Sequence, residues 1–403
     1  MKPMKIRADF AILENNPELA YFDSASTTLV PKVAVNAVND FLTHTVASAR
    51  RGAHSMATRG ATVVENARKT MANFLGSEAS QVSFQKSIPS AIASFAFGYN
   101  WHQNNKDTIV IAENEEHSVL VALQRVAQIL DLKIKIIPIN ENGTLKIGTL
   151  TDLIDKKTGI VAVGTTTVGW GVNNPVQAIS KIAHENEAVV LSDISRSIAF
   201  NAKPPEQEGV DIAVFSGNVG LMGPPGLAVQ WIERALGTNH TPGILGGSSV
   251  VDVQSTEFEL ALLPDKFESG IINVPAIVGL DAALSYLEEL RIKSMQTHMK
   301  RISSHLQKRL SAVSEVVMFN NTPGETTIFG FNLGSDGDIS CHDIALFLDE
   351  SGIAVRSGLL CAHPLVKQAA SEGIIQISLH AYNTLEEIDR IVDSLEIIAK
   401  DLV

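Results

Sequence analysis

Cysteine is scarce in this chain: 403 residues include only Cys341 and Cys361, which excludes a disulfide framework and a zinc site built from cysteines. Any cysteine that matters acts singly. Basic residues are outnumbered, 32 Lys and Arg against 44 Asp and Glu for a net charge of −12. With no Lys/Arg-rich run as well, neither nucleic acid nor an anionic membrane surface is expected as the main partner. No stretch approaches the ~18 uninterrupted apolar residues of a membrane span, and the opening MKPMKIRADF lacks the apolar core of a signal peptide. A cytoplasmic location is the expectation. Internal repeats and low-complexity tracts are missing too. What is abundant is apolar material, 45% of residues against 19% charged. The chain exceeds the ~100–200 residues usual for one domain, so a large domain and a smaller one are expected.

Between residues 108 and 232, short β-rich apolar runs (TIVIA, LKIKIIPI, GIVAVGT, AVVLSD, DIAVFSG, GLAVQWI) alternate with helix-like stretches such as SVLVALQRVAQIL and PVQAISKIAHENE. That alternation predicts a mostly parallel sheet covered by helices. Ligands of such sheets gather beyond the carboxyl ends of the strands, where Asp193 and Ser216 stand. Upstream, VAVNAVNDFLTH and ATVVENARKTMANFLG have helical spacing, and NNPELAYFDSASTT reads as an extended arm and turn. From about 275 a long helical region leads into strands at VSEVVMF, TTIFGFNLG, IAVRS and IIQISL, with helices at HDIALFLDESG and TLEEIDRIVDSLEIIAKDL. The expected division is an arm over 1–30 packing with the small domain, a large α/β domain over 31–275, and a small α+β domain over 276–403.

Five segments carry recognisable spacing. YFDSASTTLVPKVAVNAV is similar to Y-L-D-N-A-A-T-T-x-x-P-x-x-V, and RRGAHSMATRGATVVENAR to H-R-G-x-H followed by a helix ending E-x-x-R, with Arg51, Gly52, His54, Glu65 and Arg68 matching. DIAVFSGNVGLMGPPG is similar to F-S-G-H-K-x-x-G-P-x-G, IAVRSGLLCAHPL to I-A-V-R-T-G-H-H-C-A-x-P-L, and AYNTLEEIDRIVDSL to A-x-Y-N-T-x-E-E-V-D-R. Together these resemble the class V aminotransferases, the Suf-type cysteine desulfurases in particular. The resemblance implies a fold type I architecture with a seven-stranded, mainly parallel sheet, a small C-terminal α+β domain, a homodimer, and the aldehyde cofactor pyridoxal phosphate.

The frame is kept while its reactive amine is not. Val219 stands at the position of the Schiff-base lysine, and an isopropyl group can neither form an imine nor accept a proton. Asp193 falls on the residue that pairs with the pyridine nitrogen, Arg196 on a glutamine, and Ser216 on a retained serine followed by Asn218 instead of histidine. In ENEEHSV an ungapped reading puts Glu116 at the ring-stacking position; a one-residue shift would bring His117 there. The G-T-T-E phosphate turn becomes Ser87, Ile88, Pro89 and Ser90, which loses hydroxyls and, at Pro89, an amide. Val168 and Ile271 replace an asparagine and a neighbouring-subunit threonine. On the substrate side Arg356 is retained, Gln376 replaces the carboxylate-binding arginine, and His54 lies in the segment matching H-R-G-x-H.

Cys361 occupies the position at which the family's cysteine carries a persulfide. The plain alternatives stand beside these readings: Cys361 or Cys341 as small packed hydrophobes, His54 and Arg51 as loop anchors, and Glu116 with Arg196 as an ion pair that replaces the cofactor's charges. The leading expectation is a degenerate desulfurase-like homodimer without pyridoxal-phosphate catalysis, acting as sulfur acceptor, scaffold or regulatory partner through Cys361. Its rivals are an enzyme using bound pyridoxal or pyridoxamine phosphate with a histidine base, and partner-assisted iron–sulfur ligation by Cys361. No metal is expected in the chain itself.

Overall fold

The computed structural model describes residues 6–46, 48–49, 52–201, 203–320, 324–334 and 339–402. Arg51, one of the matched positions, lies outside them. Seven strands form the main sheet: β1 (Val82–Gln85), β2 (Thr108–Ala112), β3 (Lys133–Ile137), β4 (Thr158–Ala162), β5 (Val189–Asp193), β6 (Ile212–Ser216) and β7 (Ala228–Ile232). Their spatial order is β1-β7-β6-β5-β4-β2-β3, with β7 antiparallel to both its neighbours and the rest parallel. The strands read as continuous apolar runs because helices cover both faces. Alternation within them is still real: Ile109 and Ile111 enter one buried cluster while Val110 and Ala112 enter the other, on the opposite face.

The helix Ser55–Leu75 begins at His54, whose ring nitrogen accepts from Ala57 N, and ends at Gly76 in the left-handed region. The helix Val274–Glu289 packs on Lys32–His44 and Ser55–Leu75, both elements of the large domain. The expected boundary between 275 and 276 therefore falls within the first turn of a large-domain helix. The long helical region is in fact two helices, and the chain turns at Arg291, which has φ 58°, before Ile292–Leu310 begins.

That second helix, with Cys341–Glu350 and Leu385–Leu402, covers an antiparallel four-stranded sheet of Val316–Met318, Ile328–Leu333, Ile374–Ser378 and Arg356–Gly358, in that order. The arm joins the two domains. Ala20–Tyr21 pairs in parallel with Ile353–Ala354, Ser378 N donates to Phe22 O, and a few residues later Thr28 N donates to Asn218 O beside the main sheet.

Candidate functional site

Beyond the carboxyl ends of β5 and β6 lies a cavity of about 510 Å³. Its floor is Ser216 and Val219, one side is the start of the helix Ile88–Gly98, and Arg356 of the small domain closes the other. Glu116 and Arg196 pair on its wall, with Arg196 Nη1 2.5 Å from Glu116 Oε2 and side-chain exposures of only 22% for Glu116 and 8% for Arg196. Glu116 is the cap residue of the helix His117–Leu130, yet its carboxylate accepts no bond from that helix. The guanidinium takes it instead. Burial alone would loosen the Arg196 proton; the charges of Glu116 and Asp193 outweigh burial and hold it on.

Asp193 does not line this cavity. It sits behind the ion pair in a space of about 10 Å³ shared with Glu115, Glu116 and Arg196. One carboxylate oxygen accepts from Ser195 N at 2.8 Å and Ser195 Oγ at 2.5 Å, while Oδ2 is buried without a hydrogen-bond partner. Burial first, then the neighbouring Glu116 charge, push the Asp193 carboxyl up. Glu115, which the motif comparison passed over, is buried beside them and accepts from Gly164 N. Its burial pushes its pKa up to about 8, against the lowering effect of the Gly164 bond. Nothing in the string ENEEHS distinguishes the acid that will be enclosed.

Three expected site residues are turned elsewhere. His117, as first residue of its helix, donates its backbone N–H to Cys361 O at 2.9 Å, which satisfies one of the orphan donors of the first turn. Its Nε2 accepts from His363 N at 3.4 Å and its ring packs edge-on against His363; burial and then His363 hold its pKa down. It stacks on nothing in the cavity. His54 spends Nδ1 on Ala57 N at 3.2 Å as a helix cap. Gln376, fully buried in the small-domain sheet, accepts from Gly169 N at 3.2 Å and does not reach the cavity.

Cys361 is exposed beside Arg356, which lines the cavity, while Cys341 is buried in the small-domain core. Leu360 and Cys361 both have left-handed backbone, φ 54° and 57°, uncommon for residues with a Cβ and a mark of a loop held by its surroundings. The holders are named: His117 N on the carbonyl, and Arg356 Nη2, which donates to Cys361 Sγ at 3.5 Å.

These residues do not fit pyridoxal phosphate held as a Schiff base. Val219, which the F-S-G-H-K-like segment sets at the lysine position, is a buried isopropyl group. A guanidinium, Arg196, stands beside the carboxylate that would meet the ring nitrogen. At the phosphate end, Ser87 and Ser90 close a reciprocal capping box, each side chain accepting the other's N–H, and Pro89 has none to offer. Among the described residues no group of three or more His, Cys, Asp and Glu is arranged to hold a metal.

The sequence profile of the aminotransferase class-V family matches residues 20–391. A cysteine desulfurase of Escherichia coli O127:H6 is 31% identical over 400 residues, 97% of each chain. A probable cysteine desulfurase of Methanothermobacter thermautotrophicus is 30% identical, over 99% of this chain and 98% of its own. Among solved structures, the apo cysteine desulfurase of Thermococcus onnurineus NA1 superposes with a TM-score of 0.90 at 29% identity, covering 99% of this chain and 98% of that one. The Escherichia coli cysteine desulfurase CsdA, as the S-sulfonic acid, gives 0.89 at 25% over the whole of both.

Proposed function

Given that the chain belongs to the aminotransferase class V family and is similar to cysteine desulfurases along its length, we propose that it is a degenerate desulfurase-like protein that accepts sulfur at Cys361 without running pyridoxal-phosphate chemistry. The observation that carries this reading is the Arg196–Glu116 ion pair in front of Asp193 with Val219 beside it. Both partners of that pair replace neutral family residues, and their charges cancel each other inside the pocket where a cofactor's charges would otherwise have to be met. The thiol side of the cavity keeps its arginine and an exposed cysteine. In the transfer step a Cys361 thiolate attacks the outer sulfur of a donor persulfide, the donor's S–S bond breaks, and a new S–S bond forms at Cys361. The donor leaves as a thiolate, so no oxidant or reductant is consumed.

The active form is read as a cytoplasmic homodimer. Val251, Val253 and Phe258 of a hairpin, with Leu262 and Ile271 nearby, are all more than half exposed, an apolar surface of the kind that copies of one chain bury against each other. Catalysis with a histidine base would need His117 or His54 in the cavity, and neither lines it. Cluster ligation would draw its remaining thiolates from a partner, because Cys341 is buried.

The test is an absorbance spectrum of the purified protein with and without pyridoxal phosphate, beside mass analysis after exposure to a persulfide donor. The expected result is no saturable cofactor band, in Val219→Lys as in the parent, and a gain of one sulfur atom that disappears in Cys361→Ala. A saturable band together with sulfide release from cysteine would overturn the reading.

A further inference from the structure

Arg356 is anchored from behind. While Nη2 donates to the Cys361 sulfur, Nη1 donates to Ser26 Oγ at 2.9 Å, and Ser26 donates in turn to Asp23 Oδ1 at 2.5 Å. The hydroxyl matters because the opening segment resembles Y-L-D-N-A-A-T-T, in which the Ser26 position is alanine. A methyl group could neither accept from Arg356 nor donate to Asp23.

The surrounding charge is positive in a chain that is otherwise acidic. Arg196 is occupied by Glu116, which leaves the exposed Lys86 and Arg356 as the cavity's remaining cations, Arg356 partly offset by the Asp23 carboxylate, with Ser26, Ser87 and Ser216 hydroxyls between them. Lys86 makes no ion pair among the described residues. The other titratable groups about the thiol are His117, on the facing helix, and His363, two residues along the loop. Asp23 stands behind Ser26, outside the cavity wall.

We propose that Ser26 is a positioning residue that fixes Arg356 as an anion-recognition group beside Cys361, so that the thiol selects negatively charged sulfur donors, small carboxylate-bearing persulfides above all. This rests on the reading of Cys361 as a sulfur acceptor. With such a donor the exchange is Cys361–SH + R–S–S⁻ → Cys361–S–S⁻ + R–SH: one outer sulfur moves, the thiol proton ends on the released thiol, and no electrons are gained or lost overall. Attack on an anion needs a cation at the meeting point, which is where the guanidinium sits.

The experiment compares second-order rates of the full-length protein with two thiol reagents, the dicarboxylate dithionitrobenzoate and the neutral dithiodipyridine. Their ratio cancels changes in exposure and intrinsic reactivity of the thiol. Arg356→Gln is expected to lower the anionic-to-neutral ratio about fivefold, the weight of one unit charge at contact distance in water. Ser26→Ala should lower it at least about twofold, Ser26→Thr should restore it, and about 1 M salt should flatten it in the parent. A ratio unchanged in Ser26→Ala, or not restored by Ser26→Thr, overturns the proposal. If Ser26→Ala does not fold, an unchanged ratio in Arg356→Gln overturns it equally. Sulfur uptake from cysteine persulfide is followed in parallel by mass. A ratio that falls without any uptake supports the anion selection and sinks the acceptor reading, whereas uptake with a flat ratio does the reverse.

Discussion

The two sides of the cavity meet their charges in different ways. On the main-sheet side, Asp193, Glu115, Glu116 and Arg196 are wholly or largely buried, and each meets another charge, a backbone N–H or a retained proton, with Asp193 Oδ2 left without a hydrogen bond. On the small-domain side, Cys361 is exposed and held mainly through its backbone. A buried carboxylate must have a partner in the same place, because burying an unpaired charge costs several kcal/mol. An exposed thiol needs no such partner.

This contrast can be broken by measurement. The largest effect is expected at Arg196→Met, which leaves Glu116 and Asp193 without their cation and should cost about 3–5 kcal/mol in denaturant unfolding. Adding Glu116→Leu should recover at least half of that loss; no recovery would mean that the pair is not the unit described. Next is pH. Glu115 titrates at about 8 in the folded protein against 4.5 for the free side chain, so between those values the native state holds a proton that the unfolded chain has released. Its contribution is fully present below 4.5 and is lost as pH rises toward 8. Glu115→Gln keeps an acceptor for Gly164 N and should gain stability over the parent progressively through that window. A constant difference across it would place the proton elsewhere.

Smaller is the capping box at the start of the helix Ile88–Gly98. Ser87→Ala removes a helix cap and should cost about 1 kcal/mol, read as a shift in the unfolding midpoint. The least effect on stability belongs to the thiol: Cys361→Ala should alter unfolding by no more than about 0.5 kcal/mol while eliminating fast thiol labelling. A large stability loss there would erase the distinction between the two sides.

The architecture was legible because apolar runs of strand length recur between helical ones, and because the motif segments agree at glycines and prolines that set the turns. Glu116 and Arg196 were legible as a pair, since two positions that are neutral in the matching pattern carry opposite charges here. The aim of single side chains was not. His117 is one residue along its helix from Glu116, a rotation of about 100°, enough to swing the ring from the cavity to the Cys361 loop. Gln376 lies opposite Arg356 in the same antiparallel ladder, but Gly169 N captures its amide, a contact set by how the domains meet. Ser26 did leave a signal, a hydroxyl where the matching pattern has alanine, but its partner lies 330 positions away.

The arm that carries Ser26 also sets an order of assembly. Its hydrogen bonds reach Ala354, Ser378 and Tyr382, and Ser24 and Tyr382 are 358 positions apart. At the usual ~5–20 residues per second of synthesis, the arm waits roughly 20–70 s on the ribosome before its partners exist. The main sheet, whose strands end at Ile232, can form meanwhile. The ladder of Ala20–Tyr21 with Ile353–Ala354 is thus a late contact of high sequence separation. The guanidinium beside Cys361 acquires its anchor only when the first residues of the chain have met the last.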